Sequence, residues 1–163
     1  MDTLVIVCQL GLILMLTGWL GLGLRDNLVY PEQNRALTNM ILRLDRMEEI
    51  YPDFYAQLAH RRVQSEGLRT AVFRSIVIAE AVVVAVLSFA ILALLGALLD
   101  LVAAQTAQVW ALGGAFGFTM IWSAFLVGGN HFAYWLCFKD QQNTHFFMTF
   151  WGLLTMIFLI AAS

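Results

Sequence analysis

Charge is what this sequence has least of. Only 12% of its 163 residues are charged, and lysine occurs once, at Lys139. A soluble domain of this length surrounds its core with charge at roughly a quarter of its residues, so a soluble globular fold is excluded. Cysteine is scarce as well. Cys8 and Cys137 lie far apart in different contexts, which reads as two unpaired thiols and not as a disulfide or metal framework. No cluster of unpaired basic residues is present, and a net charge of −2 leaves nothing to neutralise phosphates. Nucleic acid is therefore not expected as a partner.

What the chain has in abundance is apolar sequence, 61% of residues, with a mean hydropathy of +0.78. Crossing the ~30 Å hydrocarbon layer takes about 20 apolar residues in a helix, and four runs approach or exceed that length: residues 4–24, 75–99, 109–129 and 146–162. The first has no basic residue ahead of it and no small-residue cleavage pattern behind it, so it reads as a retained helix and not a signal peptide. Lipid offers backbone groups no hydrogen-bond partner, and segments of alternating polarity that would build a β-barrel are missing. The expected fold is all-α, a single-domain bundle of four transmembrane helices. The connections between the second and third and between the third and fourth helices are short, which implies antiparallel neighbours.

The stretch 25–74 is too long for a turn and reads as an extramembrane helical cap. After Pro31, suited to a first helical turn, Leu37, Met40, Ile41, Leu44 and Met47 recur at three- and four-residue steps, with Arg35, Asn39, Arg43, Arg46 and Glu49 on the other faces. This pattern predicts an amphipathic helix. Pro52 restarts the chain, and Phe54, Tyr55, Leu58 and Ala59 predict a second short helix running toward His60, both lying on the membrane surface. Every arginine lies in this connection, and four crossings put Lys139 on the same side. The positive-inside rule then places the connection in the cytoplasm and both termini outside.

Glu80 is the one acid within a spanning run, a costly placement that marks a functional candidate. Three roles fit it: pairing with an arginine at the interface, contact with a partner subunit or lipid headgroup, or proton or ion transport. Gln9, Thr17, Ser88, Thr119 and Ser123 are too scattered to draw a proton path from it. His131 and His145 close the third helix and open the fourth, at the level where a bis-His haem b or a quinone would need them, although interfacial histidines also serve helix ends and headgroups. Gly113 and Gly117 form a Gly-x-x-x-Gly pair, and Gly11 and Gly18 lie one heptad apart; small residues let helices in lipid approach closely. No nucleophile triad, nucleotide loop or paired carboxylates can be assembled, so catalysis is not expected.

Several of these residues also carry a resemblance. Asn27, Leu42, Asp45, Glu80, Gly128, Gly129, Phe132 and Trp135 stand where a bacterial family of predicted small integral membrane proteins, the domain of unknown function family 2165, has its recurrent residues. The chain departs from that pattern at Arg43 and Leu44, in place of a Ser-Met pair, and at Asn130 and His131, in place of Glu and Trp. The resemblance implies a four-helix membrane protein. It also implies the reverse orientation, since family members carry basic residues at the N-terminus and between the second and third helices.

Taken together, the residues suggest a non-catalytic accessory subunit of a larger energy-transducing complex, respiratory or photosynthetic, in a bacterial inner membrane. Glu80, Gly113, Gly117, Leu37, Met40, Ile41 and Leu44 would contact lipid or other integral membrane subunits. A haem- or quinone-binding subunit using His131 and His145, or a small transporter built around Glu80, are the alternatives.

Overall fold

The computed structural model describes residues 2–162, and the chain is helical almost throughout. Four helices are long and apolar enough to cross a membrane: α1 (Thr3–Val29), α5 (Glu66–Leu98), α6 (Ala104–His131) and α7 (Lys139–Ala161). Between α1 and α5 lie three short helices, α2 (Pro31–Arg43), α3 (Asp45–Ile50) and α4 (Pro52–Leu58), followed by a 3₁₀ turn at Ala59–Arg61.

All four long helices outrun their apolar segments. Arg25, Asp26 and Asn27 continue α1, while Arg69 and Arg74 belong to α5. Arginine is a good helix former and the backbone bonds continue past the apolar run, so hydropathy marks where lipid ends and not where the helix does. At 1.5 Å per residue the 33 residues of α5 reach about 50 Å, roughly 20 Å more than the hydrocarbon layer. The cap is correspondingly smaller than 25–74.

Local chemistry sets the ends. Asp2 Oδ1 accepts from the Leu4 amide at 3.0 Å and Ser65 Oγ from the Leu68 amide at 3.2 Å, each satisfying an amide that the first helical turn leaves free. Pro31 and Pro52 occupy opening positions of α2 and α4, where a missing N–H does no harm. The amphipathic helix expected to run through Met47 instead stops at Leu44, whose left-handed backbone (φ 58°) ends α2 and starts α3.

That break splits the predicted apolar face. Leu37 and Ile41 are half-buried and Met40 is exposed, while Leu42, on the opposite side of the pattern, is buried. Leu44 and Met47 turn into a separate cluster with Ala133, against which Tyr55, Leu58, Phe132, Leu136 and Cys137 pack. The cap is thereby folded across the end of the bundle onto the α6–α7 turn. Arg61 donates to the His131 carbonyl at 2.8 Å, and the Arg46 guanidinium lies 5.4 Å from the centre of the Phe138 ring. Exposed ion pairs such as Arg43–Asp45 at 3.2 Å add little to this clasp.

Within the bundle α5 packs on α1 and α6, and α7 packs on α6 with only a light contact to α1. Two apolar helices in lipid gain little from hydrophobicity and associate through close packing. Ala90, Ala93 and Ala97 of α5 and Ala107, Ala111, Gly114 and Ala115 of α6 supply the small surfaces. The expected Gly113–Gly117 pair does not act as a unit. A Cβ at Gly117 would come within 2.9 Å of Val83, and one at Gly114 within 2.6 Å of Leu87, whereas one at Gly113 would meet nothing. The contact is Gly114 with Gly117, three residues apart, because the α5–α6 crossing selects that row. A Cβ at Gly11 or Gly18 would likewise meet nothing within 4 Å.

Candidate functional site

The polar site of the bundle lies where α1, α2 and α5 meet. Asn27, near the end of α1, donates from Nδ2 to Glu80 Oε2 at 2.7 Å, and its Oδ1 accepts from Asn34 Nδ2 of α2 at 2.6 Å. Asn27 and Glu80 are buried at 7% and 6% exposure, while Asn34 reaches the surface. The pairing of Glu80 with an arginine does not form. Arg25 is taken by its neighbour Asp26 at 2.8 Å, and Arg69 bends back onto the Val63 and Gln64 carbonyls. Glu80 has instead two neutral amides in series, leading from the bundle to the cap.

The deeper polar residues do not extend this chain. Thr17 and Thr119 return their hydroxyls to the carbonyls of Ile13 and Ala115, one turn back on their own helices. Gln9 is fully buried, and among the described residues neither its amide atoms nor Thr155 Oγ1 has a hydrogen-bond partner. Beyond Glu80 the buried face of α5 is Leu87, Ala90, Ala93, Leu94 and Ala97, which is wholly apolar.

The two histidines have different surroundings. His131 is exposed at the end of α6, its ring edge-on to Phe132. His145 is inside α7, ringed by Trp122 at 5.5 Å, Phe125 at 5.0 Å and a stacked Tyr134 at 5.8 Å, with Nδ1 3.0 Å from the Tyr134 hydroxyl. Tyr134 sits in the 3₁₀ turn Tyr134–Leu136 and lies so close to Gly129 that a Cβ there would enter its ring. Burial pushes the Tyr134 phenol up to about 12 and also raises the Cys137 thiol, the latter against an opposing pull from Arg46. Among the described residues no three His, Cys, Asp or Glu side chains converge on a metal position.

The Tyr134 shift has a sign that can be checked. A phenol ionising near 10 when unfolded and near 12 when folded contributes stability that is complete below about pH 10 and lost as pH rises to about 12. Alkaline unfolding in detergent is expected to show this component, and Tyr134→Phe to remove it. The same substitution takes a hydrogen bond from His145, at about 1 kcal/mol near neutral pH.

Comparison with known sequences settles what kind of chain this is. The profile of the predicted small integral membrane protein family, domain of unknown function 2165, matches residues 5–162. The chain belongs to this family. No curated relative and no solved structure is found to match it. Membership makes the protein an integral membrane protein, consistent with its four apolar helices.

Of the residues singled out through the family pattern, Asn27 and Glu80 are joined side chain to side chain across 53 positions of sequence. Gly129 is explained by Tyr134. Asn34 carried no signal in the sequence, since it stands on the polar side of a surface helix. The Tyr134–His145 pair was equally hidden, because the tyrosine reads as one more interfacial aromatic until the α6–α7 turn folds it back.

Proposed function

We propose that this protein is a non-catalytic accessory subunit of a larger bacterial inner-membrane assembly of the energy-transducing kind. The observation that carries this reading is the position of α7. It packs mainly on α6, with smaller contacts from the Tyr134 turn and from Trp19 of α1, and Phe146, Phe147, Phe150, Leu154 and Ile157 remain exposed along its length. A large aromatic face on a peripheral helix suits packing against another membrane subunit, and aromatic rings concentrate contact energy at interfaces. The cap, clasped to the bundle end, offers a fixed surface for a soluble neighbour.

Affinity purification of the tagged chain from native membranes in mild detergent tests the reading. Stoichiometric recovery of other membrane subunits, reduced by a Phe147→Ala/Phe150→Ala/Ile157→Ala variant, supports it. A monodisperse chain retrieved alone overturns it. A haem- or quinone-binding redox subunit using His131 and His145 is the competing reading, in which His145 would bind through Nε2 while Tyr134 holds Nδ1. A reduced-minus-oxidised haem band in the eluate that vanishes in His145→Ala would favour that alternative.

A further inference from the structure

We infer that Glu80, Asn27 and Asn34 form a protonation-controlled latch that fastens the first half of the cap helix α2 to the transmembrane bundle when Glu80 is ionised and loosens it when Glu80 is neutral. The inference does not rest on the accessory-subunit reading.

The three side chains are joined in series by bonds of 2.7 and 2.6 Å, one from each of three elements. An ionised carboxylate can only accept, so Asn27 must offer its Nδ2 to Glu80 and is left with Oδ1 to receive Asn34. Each bond then polarises the next, and a bond to a charged acceptor is about twice as strong as a neutral one. A neutral carboxyl weakens the first bond and, through the shared amide, the second. The neutral carboxyl keeps a carbonyl oxygen that can still accept from Asn27, but without the charge that strengthens the bond, so the series is weakened and not reversed.

The rest of the site makes Glu80 the controlling group. The other charged residues on the surrounding elements are Arg25 and Asp26 of α1, bonded to each other, Glu32, Arg35 and Arg43 of α2, the last paired with Asp45, and Glu66, Arg69 and Arg74 of α5, with Arg69 held by the Val63 and Gln64 carbonyls; α6 has none between Ala104 and Asn130. Among the described residues none of these is hydrogen-bonded or ion-paired to Glu80, so no fixed cation holds it ionised. The chain opens on one side only. Asn34 is at the surface, while the α5 face beyond Glu80 is apolar. A group with access from one side suits a sensor better than a conduit, which needs a second exit.

The two halves of α2 are held differently. Its far end is anchored by buried Leu42, whose carbonyl accepts the Val63 amide at 2.9 Å. Near its start the side-chain tie is Asn34, next to the junction at Tyr30 where α1 ends. Loosening is therefore confined to the first half of α2 and leaves the Leu44–Met47 cluster in place.

The test is a spin label at the exposed position Gln33 (Gln33→Cys in a Cys8→Ala/Cys137→Ala background), with the protein in lipid nanodiscs titrated from alkaline to acid pH. Infrared difference spectra are recorded in parallel on the label-free chain. The latch predicts that the carbonyl band of a protonated carboxyl grows in, is missing in Glu80→Gln, and shares its midpoint with a rise in label mobility. In Glu80→Gln the label is mobile at every pH. In Asn34→Ala, a surface substitution that spares the fold, the label is also mobile throughout while the Glu80 band still titrates. A label whose mobility ignores the Glu80 band, or a titration in which no Glu80 band emerges, overturns the latch.

Discussion

Replacing Asn27 with leucine is expected to destabilise the protein by about 2–3 kcal/mol, because it leaves the buried Glu80 carboxylate without its donor. The magnitude is diagnostic. Hydrogen bonds between membrane helices average only ~0.6 kcal/mol, so a loss of that size would mean that Glu80 is neutral or reached by water when Asn27 is gone. A larger loss reports an orphaned acceptor. The double variant Asn27→Leu/Glu80→Leu separates the cases, since removing both partners together with apolar residues of similar size is nearly neutral. Thermal unfolding in detergent would show Asn27→Leu well below the wild type and the double variant recovering most of the difference. A double variant as unstable as the single one would show that the network matters through Asn34 and the cap, and not through the carboxylate.

Gly152→Ala is expected to weaken the hold of α7 on α6. A Cβ at Gly152 would fall on Thr119 Oγ1 and come within 3.2 Å of Phe118 Cδ1. Neither neighbour can yield easily: Phe118 is fully buried between Trp122 and Trp151, and the Thr119 hydroxyl is engaged with Ala115. Overpacking of this kind costs about 1–3 kcal/mol, against which alanine recovers at most ~1 kcal/mol of helix propensity. The clash wins. Because α7 is held mainly by α6, the loss would be seen as a lower thermal midpoint and an early change in Trp151 emission as the helix separates. Gly18→Ala, where a Cβ meets nothing within 4 Å, serves as the control and should leave the midpoint unchanged or slightly raised. An unaffected Gly152→Ala would mean that the α6–α7 contact is looser than its geometry.

Much of this architecture was legible beforehand. The four spans follow from run length alone, since a stretch as apolar as 75–99 has no stable place except in lipid and no stable form there except a helix. Helix ends were less legible: Asn27 and Arg74 looked like cap because hydropathy sees lipid, whereas the helix continues wherever its backbone bonds can be closed. The amphipathic cap was visible in outline, but its break was not. Leu44 gives no warning of a left-handed backbone, a conformation that leucine adopts only when its surroundings over-determine it. Those surroundings, Met47, Ala133 and the α6–α7 turn, come from distant parts of the chain.

Composition and spacing by themselves determined the solvent, the fold class and the number of crossings, because each is a local sum over consecutive side chains. Tertiary structure alone decided which groups bond. It chose Asn27 over any arginine for Glu80, Gly114 over Gly113 as the neighbour of Gly117 in the close contact, and Tyr134 as the partner of His145. Each choice depends on the rotation and crossing of one helix against another, and those follow from how side chains interlock across an interface.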